Sequence, residues 1–226
     1  PACYDNLVTR NLYNAGFFKN SYLKTLNFVL EGGAIQTDGK GNIITTEKCL
    51  LSPNRNPEFT KEEIERKLKE YLNAKEIIWI KNGYLEGDDT DSHIDTLVRF
   101  APEDKILYVS PPEDKSDPHY NELKRMEEEV HSIGDRFNII SLPFAPPIFD
   151  RSTKRLPSTY ANFLVTNEAI LLPAYKDKKL DNLAAEILKV AFPKREVVMI
   201  NSIPLIQQYG SIHCITMQLP QGILNV

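Results

Sequence analysis

The order of segments limits this chain more than any one segment does. "EGGAIQTDGKGNIITTEKCLL" is an apolar run, a turn rich in Asp38, Gly39, Gly41 and Asn42, and a second β-branched run, which is a hairpin signal. "NPEFTKEEIERKLKEYLN" follows as a helix, with Thr60 and Glu63 in capping-box spacing and Ile64, Leu68, Tyr71 and Leu72 marking one face. A short strand, "EIIWI", closes the unit. The same order returns in "HIDTLVRFAPEDKILYVSPP", a hairpin turning at Pro102–Asp104. "DPHYNELKRMEEEVHSIG" is then a helix with Leu123, Met126, Val130 and Ile133 inward and Gly134 as its stop, and "FNIISLPF" is the strand. A third round runs through "YANFLVTNEAILLPAY", which turns at Asn167, "KLDNLAAEILKVAF" and "EVVMINS".

Half units stand at both ends. A helical "YDNLVTRNLYNAGFF" and an apolar "LNFVL" lead into Glu31, and a last strand carries Cys214. The chain is therefore expected to be α/β, built from a strand–turn–strand–helix–strand unit used three times, a repeat of pattern and not of identity. The plainer alternative is an α+β domain whose hairpins and helices alternate by chance. Residues 1–226 read as one domain without a linker, and a ring of such units would need modules upstream of Pro1.

Equivalent units should bring their first strands to one place. Glu31, His93, the Tyr160–Asn162 pair and Cys214 occupy those equivalent positions. A carboxylate, an imidazole, an amide and a thiol would then share one pocket. Read as strand, His93 and Asp95 point to one face, while the adjacent His213 and Cys214 point to opposite faces. His93 is thus the expected base for Cys214, and His213 is not. Gly32 and Gly33 permit a close backbone approach after Glu31.

The remaining candidates take plainer readings. Cys3 and Cys49 are expected to be small apolar residues, and His119 and His131 surface residues of a charged helix. "TDGKGN" lacks the strand–helix context of a phosphate loop and is a hairpin turn. The acidic "EGDDTDS" reads equally as a solvated loop or as a lure for a cationic substrate. Three cysteines and four histidines without ligand spacing give neither a disulfide framework nor a metal site. A net charge of −4 with dispersed basic residues argues against nucleic-acid or anionic-membrane partners, and a reduced, cytoplasmic setting fits.

The stretches "VLEGGAIQTDGKGNIITTEKCLLSPNRNP", "DSHIDTLVRF", "LPSTYANFLVTNEAILLPAY" and "GSIHCITMQLP" resemble, in order, the motifs of the agmatine deiminases. These belong with the bacterial-type peptidylarginine deiminases among the guanidine-modifying enzymes. The resemblance covers essentially the whole chain. It implies a five-bladed α/β propeller (pentein) of ββαβ modules, of which this chain would hold the last three to four. It implies a cofactor-free hydrolase that converts agmatine to N-carbamoylputrescine and ammonia in polyamine biosynthesis, working as a homodimer or larger. Carried over residue by residue, Cys214 resembles the nucleophile and His93 the general acid/base. Asp95 resembles a guanidinium-binding acid, and Glu31 the carboxylate that pairs with both His93 and the guanidinium. Asn162 is expected to touch substrate.

Two departures stand out. Ser92 replaces a usual glycine, and Gln208–Ser211 replaces a glycine-rich tract. A further upstream guanidinium-binding aspartate motif has no counterpart in these residues. Arginine or peptidylarginine could replace agmatine, since all present the same head group. A non-catalytic propeller that binds a partner, or a homologue that kept the motifs without the activity, are the remaining alternatives.

Overall fold

The computed structural model describes residues 2–219 and 222–225; the Cys3 side chain lies outside what is described. Two compact units divide the chain, one of residues 1–28 with 217–226 and one of Val29–Thr216. In the smaller unit, helix α1 (Val8–Asn14) is followed by an antiparallel pairing of the two chain ends. There Lys19 N–H donates to the Ile223 carbonyl and Asn225 N–H to that of Phe17. The "LNFVL" run that precedes Glu31 is not itself a strand.

The larger unit holds the repeat. Its first module is β1 (Ile35–Thr37), β2 (Asn42–Thr46), the short α2 (Glu47–Leu50), α3 (Lys61–Leu72) and β3 (Glu76–Ile80). The second is β4 (Val98–Ala101), β5 (Lys105–Val109), α4 (Tyr120–Ser132) and β6 (Asn138–Leu142). A hairpin that the sequence pattern did not announce comes next, β7 (Ile148–Phe149) with β8 (Arg155–Leu156). The third module is β9 (Leu164–Val165), β10 (Ala169–Ala174), α5 (Lys178–Ala191) and β11 (Glu196–Asn201), and a short α6 (Ile203–Ile206) follows. In each module the first two strands pair antiparallel and the strand after the helix pairs parallel to the second. The product is three separate three-stranded mixed sheets, and no closed sheet forms among the described residues.

Local chemistry accounts for each element. Thr60 Oγ1 accepts the Glu63 N–H while the Glu63 carboxylate accepts that of Thr60, so α3 begins with a full capping box. Ile64 and Leu68 bury the inner face of α3, but Tyr71 and Leu72 are exposed in its last turn. Leu123, Met126 and Val130 bury α4, which ends before Gly134 at φ +95°. The Asp177 carboxylate caps α5 through the N–H groups of Lys179 and Leu180. The central strand β5 is buried along its whole length, as expected of a strand covered on both faces. One apolar cluster runs from Ile44 through Leu107 and Phe163 to Ile206, so the three modules share a core.

The modules are also stitched by polar contacts, and these set the site. Arg99, almost fully buried on β4, donates through Nε to Gln36 of β1 and through Nη1 to the carbonyls of Ala161 and Phe163. Thr46 Oγ1 donates to the Ser92 carbonyl and Thr159 Oγ1 to that of Thr96. Among the described residues no helix is long and apolar enough to cross a membrane.

Candidate active site

Every candidate residue lies on a turn just before a module's first strand or, for Cys214, where another module would begin. Glu31 precedes a 3₁₀ turn, Gly32–Ala34, and His93 precedes another, Ile94–Thr96, which contains Asp95. Asn162 sits in the turn before β9, and Cys214 in a 3₁₀ turn, His213–Ile215. The strand expected around Cys214 is therefore absent, and with it the rule that neighbours face opposite ways. A 3₁₀ turn rotates successive side chains by about 120°, not 180°. His213 accordingly points into the site, its Nδ1 2.7 Å from Asp95 Oδ2.

Contacts join the residues in a continuous chain. His93 Nε2 is 3.7 Å from Glu31 Oε1, beyond hydrogen-bond reach but close enough for strong attraction between charges. Gly33 is where the two turns touch: a Cβ there would stand 2.6 Å from His93 Nδ1 and 2.8 Å from Asp95 Oδ2. The close approach expected of this glycine is present. Asn162, fully buried, places Nδ2 3.3 Å from Cys214 Sγ and accepts the His213 N–H at Oδ1. It braces the thiol's turn. Cys214 itself is exposed.

Two buried side-chain atoms have no hydrogen-bond partner among the described residues: His93 Nε2 and Asp95 Oδ1. An unpaired buried polar atom costs roughly 1–3 kcal/mol. A site that carries two is arranged for something else to meet them.

Electrostatics differ from group to group. The adjacent His93 imidazole, and after it the Arg55 guanidinium, hold Glu31 down at about 2 against an opposing effect of burial. Burial alone would lower His93, but the neighbouring Cys49 and Glu31 outweigh it and raise its pKa. Packing around the Cys214 sulfur and then the Asp95 charge push that thiol up. The resting nucleophile candidate is thus a thiol.

Several participants escaped the sequence reading. Arg55 spans Glu31, the Thr90 carbonyl and Asp91, with its Nε 2.9 Å from both Glu31 oxygens. Cys49, expected to have no such partners, is buried in α2 with its sulfur beside Glu31 and His93. His119 is buried rather than on the surface, and is held by Asp117 and the Glu86 N–H; His131 is exposed. The acidic run is no free lure, since Asp88 caps its own turn through Thr90 and Ser92 and Asp91 pairs with Arg55. Ser92 takes φ +65°, a conformation that glycine adopts without strain.

The family model for the Porphyromonas-type peptidyl-arginine deiminases matches residues 1–220. The chain belongs to this family. An agmatine deiminase of Medicago truncatula is 38% identical over 216 residues, which are 86% of this chain and 58% of that protein. A crystal structure of a Porphyromonas gingivalis protein proposed to be an arginine deiminase is 45% identical with TM-score 0.92, covering 98% of this chain and 66% of that one. An agmatine deiminase of C. jejuni, a Cys-to-Ser variant with substrate bound, is 40% identical with TM-score 0.87, over 92% of this chain and 61% of its own. The chain thus spans about three-fifths of the length of the curated relatives it matches.

Proposed function

We propose that the protein is an agmatine deiminase, hydrolysing agmatine to N-carbamoylputrescine and ammonia through a covalent cysteine intermediate. The observation that carries this reading is the pair of buried, unpartnered atoms, Asp95 Oδ1 and His93 Nε2, next to a thiol whose proton is held on by burial and by the Asp95 charge. A guanidinium supplies what each group lacks. Its N–H groups donate to Asp95, and to Glu31 where that carboxylate is free of Arg55. Its charge offsets the Asp95 charge that holds the Cys214 proton on, so the nucleophile ionises when substrate arrives.

Cys214 Sγ then attacks the guanidinium carbon. His93, charged because its pKa is raised, gives its proton to the departing nitrogen, and ammonia leaves as the C–N bond breaks. An amidino-thioether remains. The now neutral His93 takes a proton from water, the hydroxide adds to the same carbon, and the adduct collapses with departure of the thiolate and loss of its hydroxyl proton to solvent, leaving the ureido product. One imidazole serves both steps. Asn162 and His213 hold the thiol and Asp95 in register for the attack.

The same reading extends to the assembly. Three modules are in hand, and the relatives' additional length suffices for two more, so the whole protein would close a five-bladed propeller of ββαβ modules. The missing guanidinium-binding aspartate would come from that upstream part. A cytoplasmic homodimer without nucleic-acid or membrane partners fits the resemblance and the net charge of −4.

A second substrate deserves an arm of the test, because the P. gingivalis neighbour is proposed to act on arginine. Purified protein is incubated with agmatine, arginine or an arginine peptide, and ureido product is followed. The expected result is turnover of agmatine, reduced by on the order of 10⁴-fold or more in Cys214→Ser. Preference for arginine or the peptide would move the substrate assignment and leave the chemistry in place. Turnover that survives Cys214→Ser would remove the mechanism.

A further inference from the structure

Cys49 makes and breaks no bond in the reaction above, yet it shares a pocket with two groups that act in it. Glu31, Cys49 and His93 each offer one donor atom, and the three atoms lie within 4.8 Å of one another. A tetrahedral ion with bonds of about 2.0–2.3 Å has ligand-to-ligand edges of roughly 3.3–3.8 Å. The Glu31–His93 edge, at 3.7 Å, fits already, and the thiol has about 1 Å or less to close. His93, only 9% exposed, aims a buried Nε2 with no protein partner into this space.

The surroundings are built to hold the three donors. Thr46 Oγ1 accepts the Cys49 N–H and donates to the carbonyl of Ser92, so α2 is tied to the residue before His93. Arg55 Nε donates to both Glu31 oxygens and so fixes the carboxylate, as an outer partner orients a ligand. The Glu31 side chain is 40% exposed and gives an ion its route inward. Thiolate, imidazole and carboxylate together suit zinc and its cobalt surrogate far better than magnesium or calcium.

We propose that Glu31, Cys49 and His93 form a site for a zinc-class divalent cation, and that filling it inhibits the enzyme. On binding, the Cys49 thiol and the His93 imidazolium each release a proton to water. The ion then takes the His93 lone pair and a Glu31 oxygen, so cation and guanidinium exclude each other. The chain spacing of these ligands hides the site, because Glu31 and Cys49 belong to one module and His93 to the next. Binding rests on geometry alone; the inhibition rests on the deiminase reading.

Cobalt(II) titrated into full-length protein carrying Cys214→Ser tests the binding without any turnover. A thiolate-to-cobalt charge-transfer band that saturates at a single equivalent is expected. It should vanish when Cys49→Ser is added, and Glu31→Gln should weaken binding by roughly 10–100-fold. No band, or a band that survives Cys49→Ser, overturns the site. Should Cys49→Ser fold poorly by circular dichroism, the Glu31→Gln titration and release of cobalt by agmatine decide the matter. Unchanged affinity in that variant, or retention of cobalt at saturating agmatine, counts against the proposal. In the active protein, zinc should inhibit reversibly to a chelator, and on the order of 100-fold less potently in Cys49→Ser relative to that variant's own metal-free rate. Equal zinc sensitivity overturns the inhibitory role. If no guanidine compound turns over, the deiminase reading fails while the cobalt band still decides the site.

Discussion

Around Glu31 and His93 the turns are held by charge, and around Cys214 chiefly by the hydrogen bonds of a neutral buried amide, with His213 Nδ1 on the Asp95 carboxylate beside them. Arg55, only 8% exposed, grips Glu31 and Asp91 together, and the adjacent His93 with Arg55 after it keeps Glu31 ionised down to about 2. The Cys214 turn instead hangs on a buried amide, through Asn162 Oδ1 to the His213 N–H and Asn162 Nδ2 to the sulfur. One half is preorganised in its charged state, and the other is kept neutral until something cationic arrives. The two faults that substitutions can produce therefore differ in kind: loss of charge on one side, loss of aim on the other.

Arg55→Met attacks the charged half and should have the largest effect of the substitutions compared here. It frees Glu31 to swing away from His93, and a misplacement of about 1 Å in such a site costs on the order of 100-fold. That loss should appear in kcat/KM for agmatine. The pH behaviour carries the sign. Because the folded pKa of Glu31 is depressed, its contribution to stability is full above the ordinary value of 4.5 and is lost as pH falls towards about 2. Arg55→Met raises the folded pKa part of the way back, and only part, because His93 is the larger cause. The melting-temperature gap between the two proteins should then shrink as pH is lowered from about 5 to about 2. A gap that stays constant would show that Arg55 acts by packing and not by charge.

Asn162→Ala strikes the other half. It removes the hydrogen bond to the sulfur and leaves the His213 N–H with the weaker contact to the Asn162 carbonyl, 3.2 Å away. One neutral hydrogen bond is worth about 1–1.5 kcal/mol, so a fall of about tenfold in kcat is expected, with little change in the acid limb of the pH profile. The inflection for alkylation of Cys214 by a neutral reagent should stay raised and move further up, since Asp95 remains while the Asn162 bond that lowers it is gone. A clear shift of the acid limb in Asn162→Ala would erase the distinction between the halves.

The same contrast separates what was legible in the sequence from what was not. The three modules were visible because hairpin turns and helix caps are local: Thr60 with Glu63, Asp177 before α5, Gly134 after α4. Equivalence of the modules then placed Glu31, His93, Asn162 and Cys214 in one region without any knowledge of contacts. Their conformation was hidden, because an alternation rule that assumes strands cannot see a 3₁₀ turn, and it sent His213 the wrong way. Arg99 did leave a trace, a lone cation between Val98 and Phe100 in an apolar strand. Arg55 and Cys49 left none. They acquire their positions from hydrogen bonds that reach across modules, Arg55 to Thr90 and Thr46 to Ser92, and no local pattern records those.

The smallest effect concerns the hinge between Asp91 and His93, and it refines the charged half. Asp91 and Ser92 both have positive φ, +60° and +65°, and a left-handed residue other than glycine costs about 1–2 kcal/mol. Glycine at position 92 would relieve that strain but would also free the unfolded chain, which recovers about 0.4–1 kcal/mol of the gain. Ser92 engages the loop through its backbone, donating N–H to Asp88 and accepting from Thr46, and glycine keeps both contacts. Ser92→Gly should therefore stabilise the protein by about 1 kcal/mol or less in chemical denaturation, with kcat/KM for agmatine within about twofold of wild type. Destabilisation instead would mean that the serine hydroxyl, and not the backbone, holds His93 where Glu31 can charge it.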